Sequence, residues 1–247
     1  MRPLVAVRRS TPWNPWFASK SPLFWPLASA ISRLELLDDF PSASVLSKLY
    51  GDRMPVRIEA LVQGSRGPRG YDRGTHYDAR IVESRTLPTR ERCWHDLMNA
   101  LVWASFPRSK LALHVRQHAA VLDALSVSSP STLPSLPPQR TRPLDALALL
   151  DEGGVLRLDV RDGDSLWLLF GHALYEHLAL GAPPPRASVA RLEVNDARPR
   201  SAGDLVFFAD LALSRALGPD SADFLLPDAL ARVDLANIPV PSATGTW

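Results

Sequence analysis

The 247-residue chain contains a single cysteine, Cys93. One thiol excludes an internal disulfide and any cysteine-rich zinc site, and it makes a reducing compartment the default expectation. Lysine is nearly as scarce: only Lys20, Lys48 and Lys110 stand among 28 basic residues, so arginine carries almost all the positive charge. No stretch approaches the roughly 18 apolar residues of a membrane span. The apolar run in MRPLVAVRRSTPW is too short for a signal peptide, and a cytoplasmic protein is expected. No strand, glycine-rich loop and helix follow one another in the pattern that cradles phosphates, because Gly153-Gly154 lacks the spacing of either phosphate fingerprint. The chain also lacks the Gly-x-Ser-x-Gly elbow of serine hydrolases and the His-Glu-x-x-His zinc helix.

What is present is the composition of a globular domain, with 46% apolar and 22% charged residues, on a chain long enough to bury a sizeable core without staples. The charge is unevenly spread. Residues 1–142 carry 20 basic against 11 acidic side chains and residues 143–247 carry 8 against 15, so about +9 and −7 sum to the overall +2. The simplest reading is two halves that attract each other across one fold; a basic front half could instead favour a polyanion. The Ser/Pro-rich stretch SVSSPSTLPSLPPQRTRP coincides with the change of sign and reads as an exposed linker. The expected organisation is therefore a single globular domain of two associated halves, about 1–125 and 143–247, joined by residues 126–142.

Residues 1–26 are too rich in proline for regular helix and too rich in tryptophan and phenylalanine for a free tail. They read as an irregular arm anchored by its aromatics. Helices are expected at about 27–37, 42–50, 92–105, 107–125, 143–152, 165–180, 203–217 and 222–232. Strands are expected at 55–63, 77–84, 155–160 and 187–194. The first two would form a hairpin around the Gly/Arg-rich stretch between them. The class is α+β, helix-dominated, with a few short strands and an irregular Trp/Pro-rich N-terminal arm.

Three clusters of polar residues fall in apolar surroundings. The helix beginning near Arg92 carries His95, Asp96 and Asn99 beside a face of Trp94, Leu97, Met98 and Leu101. His95 and Asn99 are one turn apart, and Asp96 suits the positive end of the helix. In LWLLFGHALYEHLAL apolar residues surround the helix, yet His172 and Glu176 sit four apart. A buried carboxylate needs a partner, and helical spacing offers His172. In LALLDEGGVL, Asp151 and Glu152 occupy the last turn of a helix, where negative charge is unfavourable. For each cluster a purely structural role competes with a functional one: a helix start, a His–Glu pin, a solvated turn.

The same three clusters carry a resemblance. WHDLMNALVWASFPRSK (Trp94–Lys110), the Asp145-Ala146-Leu147 and Asp151-Glu152-x-Gly154 run, and Phe170-Gly171-His172-Ala173-Leu174-x-Glu176 resemble motifs of a bacterial family known as domain of unknown function three-zero-two-five. The resemblance implies a shared fold and supplies no activity.

Two functions follow from the residues themselves. In the first, His95, Asp96, Asn99, His172 and Glu176 form a catalytic site. His95, His172, Glu176, Asp151 and Glu152 would then be the side chains able to hold a divalent metal such as zinc, manganese or iron. The protein would be an enzyme acting on a small molecule, at its least specific a hydrolase. In the second, the chain is a non-catalytic binding module for nucleic acid or a protein. Arg66, Arg69 and Arg73 would lie along phosphates, and Tyr71, His76 and Tyr77 would stack on bases.

Overall fold

The computed structural model describes residues 11–61, 74, 76–126, 142–160, 165–183, 185, 187–194, 201–218, 231–233, 235 and 238–239. The arm is irregular, as its prolines require: Phe17–Lys20 and Pro22–Leu27 are 3-10 turns, and the second continues into one α-turn, Ala28–Ile31. Its aromatics are anchors. Trp13 stacks on Trp94 at 5.7 Å between ring centroids, Phe17 meets Trp94 edge-on at 5.5 Å, and the Trp13 indole N–H donates to Leu37 O at 2.8 Å.

Helix α1 (Ala43–Tyr50) starts under a serine cap, Ser42 Oγ accepting from Val45 N at 3.3 Å. Strand β1 (Arg57–Ala60) follows, then α2 (Tyr77–Val82) and β2 (Thr86–Thr89), with β1 and β2 paired in parallel. The hairpin expected over 55–63 and 77–84 is thus replaced by a crossover. A parallel pair cannot close through a tight turn and needs a connection of a dozen or more residues, usually with a helix. The alternation of Tyr77, Ala79 and Ile81, read as strand, belongs to that helix, and Thr86–Thr89 supplies the partner strand.

Helices α3 (Trp94–Ser105) and α4 (Pro107–Ser126) meet at the predicted proline, which occupies the first helical position, where its missing N–H costs nothing. The start of α4 is capped from a distance. Asp210 accepts from Ser109 N at 2.7 Å and from Arg108 N at 3.2 Å. Next come α5 (Arg142–Gly153), β3 (Gly154–Val160), β4 (Ser165–Leu169), α6 (His172–Leu180), β5 (Ala187–Val194), α7 (Ala202–Ala216) and β6 (Ala231–Val233). Their sheet has the order β4-β3-β5-β6, with β3 and β5 parallel and the outer pairs antiparallel. Both α5 and α7 pack on β5. The buried core draws on both halves of the chain, from Phe17 and Trp103 to Phe170 and Leu213.

The expected helix 165–180 is two elements. Ser165–Leu169 pairs with β3, and the helix begins only at His172. The division falls at Gly171, whose backbone lies so close to the α5–β3 junction that a Cβ there would sit 2.4 Å from Gly154 N and 2.5 Å from Glu152 O. Phe170 N and Gly171 N both donate to Gly154 O, at 2.9 and 2.8 Å, so the chain is tied down where the helical pattern breaks. Of the expected helix 222–232, residues 231 and 232 lie in β6 and the rest lie outside the described residues.

Candidate metal centre

The Gly171 contact sets the first side chain. It brings the start of α6 against the end of α5, where the terminal carbonyls have no partner within their own helix. His172 Nδ1 takes one of them, donating to Asp151 O at 2.8 Å. A carbonyl only accepts, so Nδ1 carries the proton, and Nε2 of the neutral ring is a lone pair. Burial depresses the His172 pKa well below its ordinary value, aided by the nearby Lys110 and His95 and opposed by Asp151. The imidazole is therefore neutral.

The second side chain arrives from α3. His95 Nδ1 lies 3.0 Å from Glu176 Oε2, and a carboxylate again fixes the N–H on Nδ1. His95 Nε2 then points at His172 Nε2, 3.0 Å away. Burial works against charge on His95. The hydrogen bond to Glu176 and the negative charges of Glu152 and Glu176 outweigh it, and the pKa is raised. His95 thus carries the pair's proton and donates it to the lone pair of His172.

Helical spacing alone predicts that Glu176 pairs with His172. It pairs instead with His95 across the α3–α6 contact, because His172, at the first position of its helix, already has its N–H on the Asp151 carbonyl. Glu176 is fully buried, so His95 is the partner that its burial demands.

Glu152 completes a trio. Its side chain is half exposed, with Oε2 3.4 Å from His172 Nε2 and Oε1 3.8 Å from His95 Nε2. One ligand atom from each of His95, Glu152 and His172 lies within 4.8 Å of the others. Two ligands bonded at about 2.05 Å to a tetrahedral metal stand about 3.3 Å apart; the two Nε2 atoms are 3.0 Å apart, and each has one of the two Glu152 oxygens near it, Oε2 at 3.4 Å from His172 and Oε1 at 3.8 Å from His95. Asp151 stands outside the trio. Its carboxylate is bound to the fully buried Lys110 ammonium. Although burial pushes its pKa up, the positive charge of Lys110 beside it holds it well below the usual carboxylate range.

The trio lies on a cavity of about 590 Å³ that His95, Asp96, Asn99, Asp151, Glu152 and His172 all line. Asp96 is engaged by Arg90 in a two-pronged pair at 3.0 and 2.7 Å and also accepts from Arg90 N at 2.6 Å. Asn99 Nδ2 donates to Tyr77 Oη at 2.9 Å. His76 and Tyr77, expected to stack on bases, also line the cavity, and two further lining residues, Asp78 and His114, escaped the sequence reading. Asp78 Oδ1 is 2.9 Å from His114 Nδ1, and the His114 ring lies parallel to Trp103 at 5.5 Å. A signal for His114 existed: Lys110, His114 and Gln117 form a polar stripe at helical spacing on the buried face of α4. Arg66, Arg69, Arg73 and Tyr71 lie outside the described residues.

Among the described residues no helix is long and apolar enough to cross a membrane. Neither the curated proteins nor the solved structures provide a match to the chain. The family resemblance does have a counterpart: residues 67–164, which include His95, Asp151 and Glu152, match the family described as protein of unknown function (DUF3025).

Proposed function

We propose that the protein is a divalent-metal-dependent enzyme of the hydrolase type, with the metal held by His95 Nε2, His172 Nε2 and Glu152. The observation that carries the reading is the tautomer arrangement. Both imidazoles give their Nδ1–H to an acceptor, Glu176 for His95 and the Asp151 carbonyl for His172, and both turn Nε2 inward. Metal-binding histidines are held in this way, with the outer N–H on a carboxylate or carbonyl that fixes the ring and raises its basicity. A structural His–His contact requires only one such anchor. Two imidazoles and one carboxylate suit zinc, iron or manganese, and three protein ligands leave coordination positions open toward the cavity. A divalent metal there would supply a Lewis acid and activate a water.

Asp96 and Asn99 then have positioning roles. Asp96 holds Arg90 at the cavity wall, and Asn99 holds Tyr77. The site also supports the reading of the chain as a single domain of two associated halves, since His95 comes from the first and Glu152 and His172 from the second. The setting proposed is cytoplasmic and the substrate a small molecule that fits the cavity. Elemental analysis of the purified chain tests the proposal. About one zinc, iron or manganese ion per chain is expected, reduced to background in His95→Gln and His172→Gln. A wild-type protein that takes up none of these metals at micromolar concentration defeats it.

A further inference from the structure

The wall of the cavity away from the trio has its own chemistry. Four carboxylates line the cavity, Asp78, Asp96, Asp151 and Glu152, against one guanidinium, Arg90. They are not equivalent. Asp96 is neutralised by Arg90 and Asp151 by Lys110. Glu152 belongs to the trio. Outside the trio, Asp78 alone of these carboxylates has neither arginine nor lysine in an ion pair with it among the described residues; its partners are imidazoles, His114 at 2.9 Å and His76 at 4.0 Å. His114 is itself 1% exposed, and its Nε2 finds no hydrogen-bond partner among the described residues. A carboxylate only 15% exposed, next to a buried ring with an open nitrogen, is a costly arrangement for an empty protein. A ligand bringing a cation with N–H donors would offset that cost. The neighbouring surface is apolar, formed by Val121, Leu144 and Ala148.

We infer that this cavity takes a small organic molecule bearing a protonated amine, with the ammonium on Asp78, the apolar body along Val121, Leu144 and Ala148, and the reacting group toward His95 and His172. The inference rests on the cavity being the substrate site proposed above. It also gives that site a direction: phosphorylated and carboxylate-rich compounds are disfavoured at the end of the cavity away from the trio, where the charge outside the ion pairs is the Asp78 carboxylate.

The test uses the full chain loaded with zinc and three probes of nearly equal size: benzylamine, benzyl alcohol and benzoate. Affinities are measured by calorimetry at neutral pH, with zinc content read in parallel. Benzylamine is expected to bind about tenfold or more tightly than benzyl alcohol, the size of one charge-assisted hydrogen bond, and benzoate more weakly than either. In Asp78→Asn the advantage of benzylamine should vanish while zinc content stays at the wild-type level. Benzoate binding as well as benzylamine, or Asp78→Asn binding benzylamine like wild type, overturns the inference. Should the variant fail to fold, the wild-type protein decides. Benzylamine must shift the His114 ring resonances in a histidine-labelled NMR spectrum, and unchanged resonances at saturation overturn the inference. The two readings fail separately: zinc bound without amine preference defeats this one alone, and amine preference without metal defeats only the metal reading.

Discussion

His95 Nε2 and His172 Nε2 stand 3.0 Å apart, closer than two imidazoles approach unless a proton or a metal lies between them. Each ring is locked from behind, and the two locks differ. His172 rests on a backbone carbonyl, which side-chain substitution does not remove. His95 rests on Glu176, which substitution does remove. Glu176→Gln keeps the shape and an acceptor oxygen but loses the charge that raises the basicity of His95. Metal affinity is expected to fall about 10- to 100-fold, the usual cost of losing such a partner, while the thermal midpoint moves little. A variant that unfolds at a much lower temperature yet keeps wild-type metal affinity would make Glu176 a structural pin only.

Proton release gives a second measurement. Metal binding needs both Nε2 atoms as lone pairs. His172 is already neutral, and His95, with its pKa raised above the ordinary 6.5, holds the one proton to be displaced. Affinity should therefore rise about tenfold per pH unit below the His95 pKa and level off above it. Without metal, the same raised pKa stabilises the fold. That contribution is fully present below the ordinary imidazole value and is lost as pH rises through the higher folded value. Denaturant melts of chelator-treated protein between pH 5.5 and 8.5 check the sign: His95→Gln should flatten the loss on the alkaline side.

The close approach at Gly171 positions both the helix start and the trio. A Cβ there would lie 2.4 Å from Gly154 N and 2.5 Å from Glu152 O, both backbone atoms. The chain must separate to admit it, and the separation falls on the two residues, Glu152 and His172, that flank the contact. Gly171→Ala should cost about 1–3 kcal/mol of stability, the range for overpacking a close contact, and should abolish metal binding even at temperatures where the protein remains folded. Metal binding intact in a folded Gly171→Ala would show that the trio does not depend on this approach.

Much of this was legible in the sequence, for identifiable reasons. The helices α3, α4, α5 and α7 and strands β3 and β5 follow from apolar periodicity, from Pro107 and from Gly153-Gly154, all of which act locally. His95, His172 and Glu152 stood out because polar groups in apolar runs need an explanation wherever they end up. The pairing of Glu176 was misread because helical spacing shows only neighbours on the same helix, whereas the partner came from α3. The strand Thr86–Thr89 was missed because four residues, one of them Pro88, carry too little pattern, and its pairing depends on β1 lying alongside. The Asp78–His114 pair joins α2 to α4, and nothing local in either segment announces the other.

The same limit applies to Asp210, whose role appears only when α7 is placed against α4. It caps the start of α4 through the backbone N–H groups of Arg108 and Ser109, and Ser109 Oγ donates to Asp210 O at 2.8 Å. Burial raises the Asp210 pKa, and the bonds from Ser109 and Arg108 only partly offset that. The fold therefore needs the acceptor oxygens at this position more than it needs the charge. Asp210→Ala should cost about 2 kcal/mol, the loss of a helix cap together with buried N–H groups left unpaired. Asp210→Asn keeps one acceptor and sheds the buried charge, so it should cost well under half as much. Urea melts of the two variants against wild type decide the matter. Equal destabilisation by Asn and Ala would mean that the carboxylate charge, and not its geometry, holds α7 to α4.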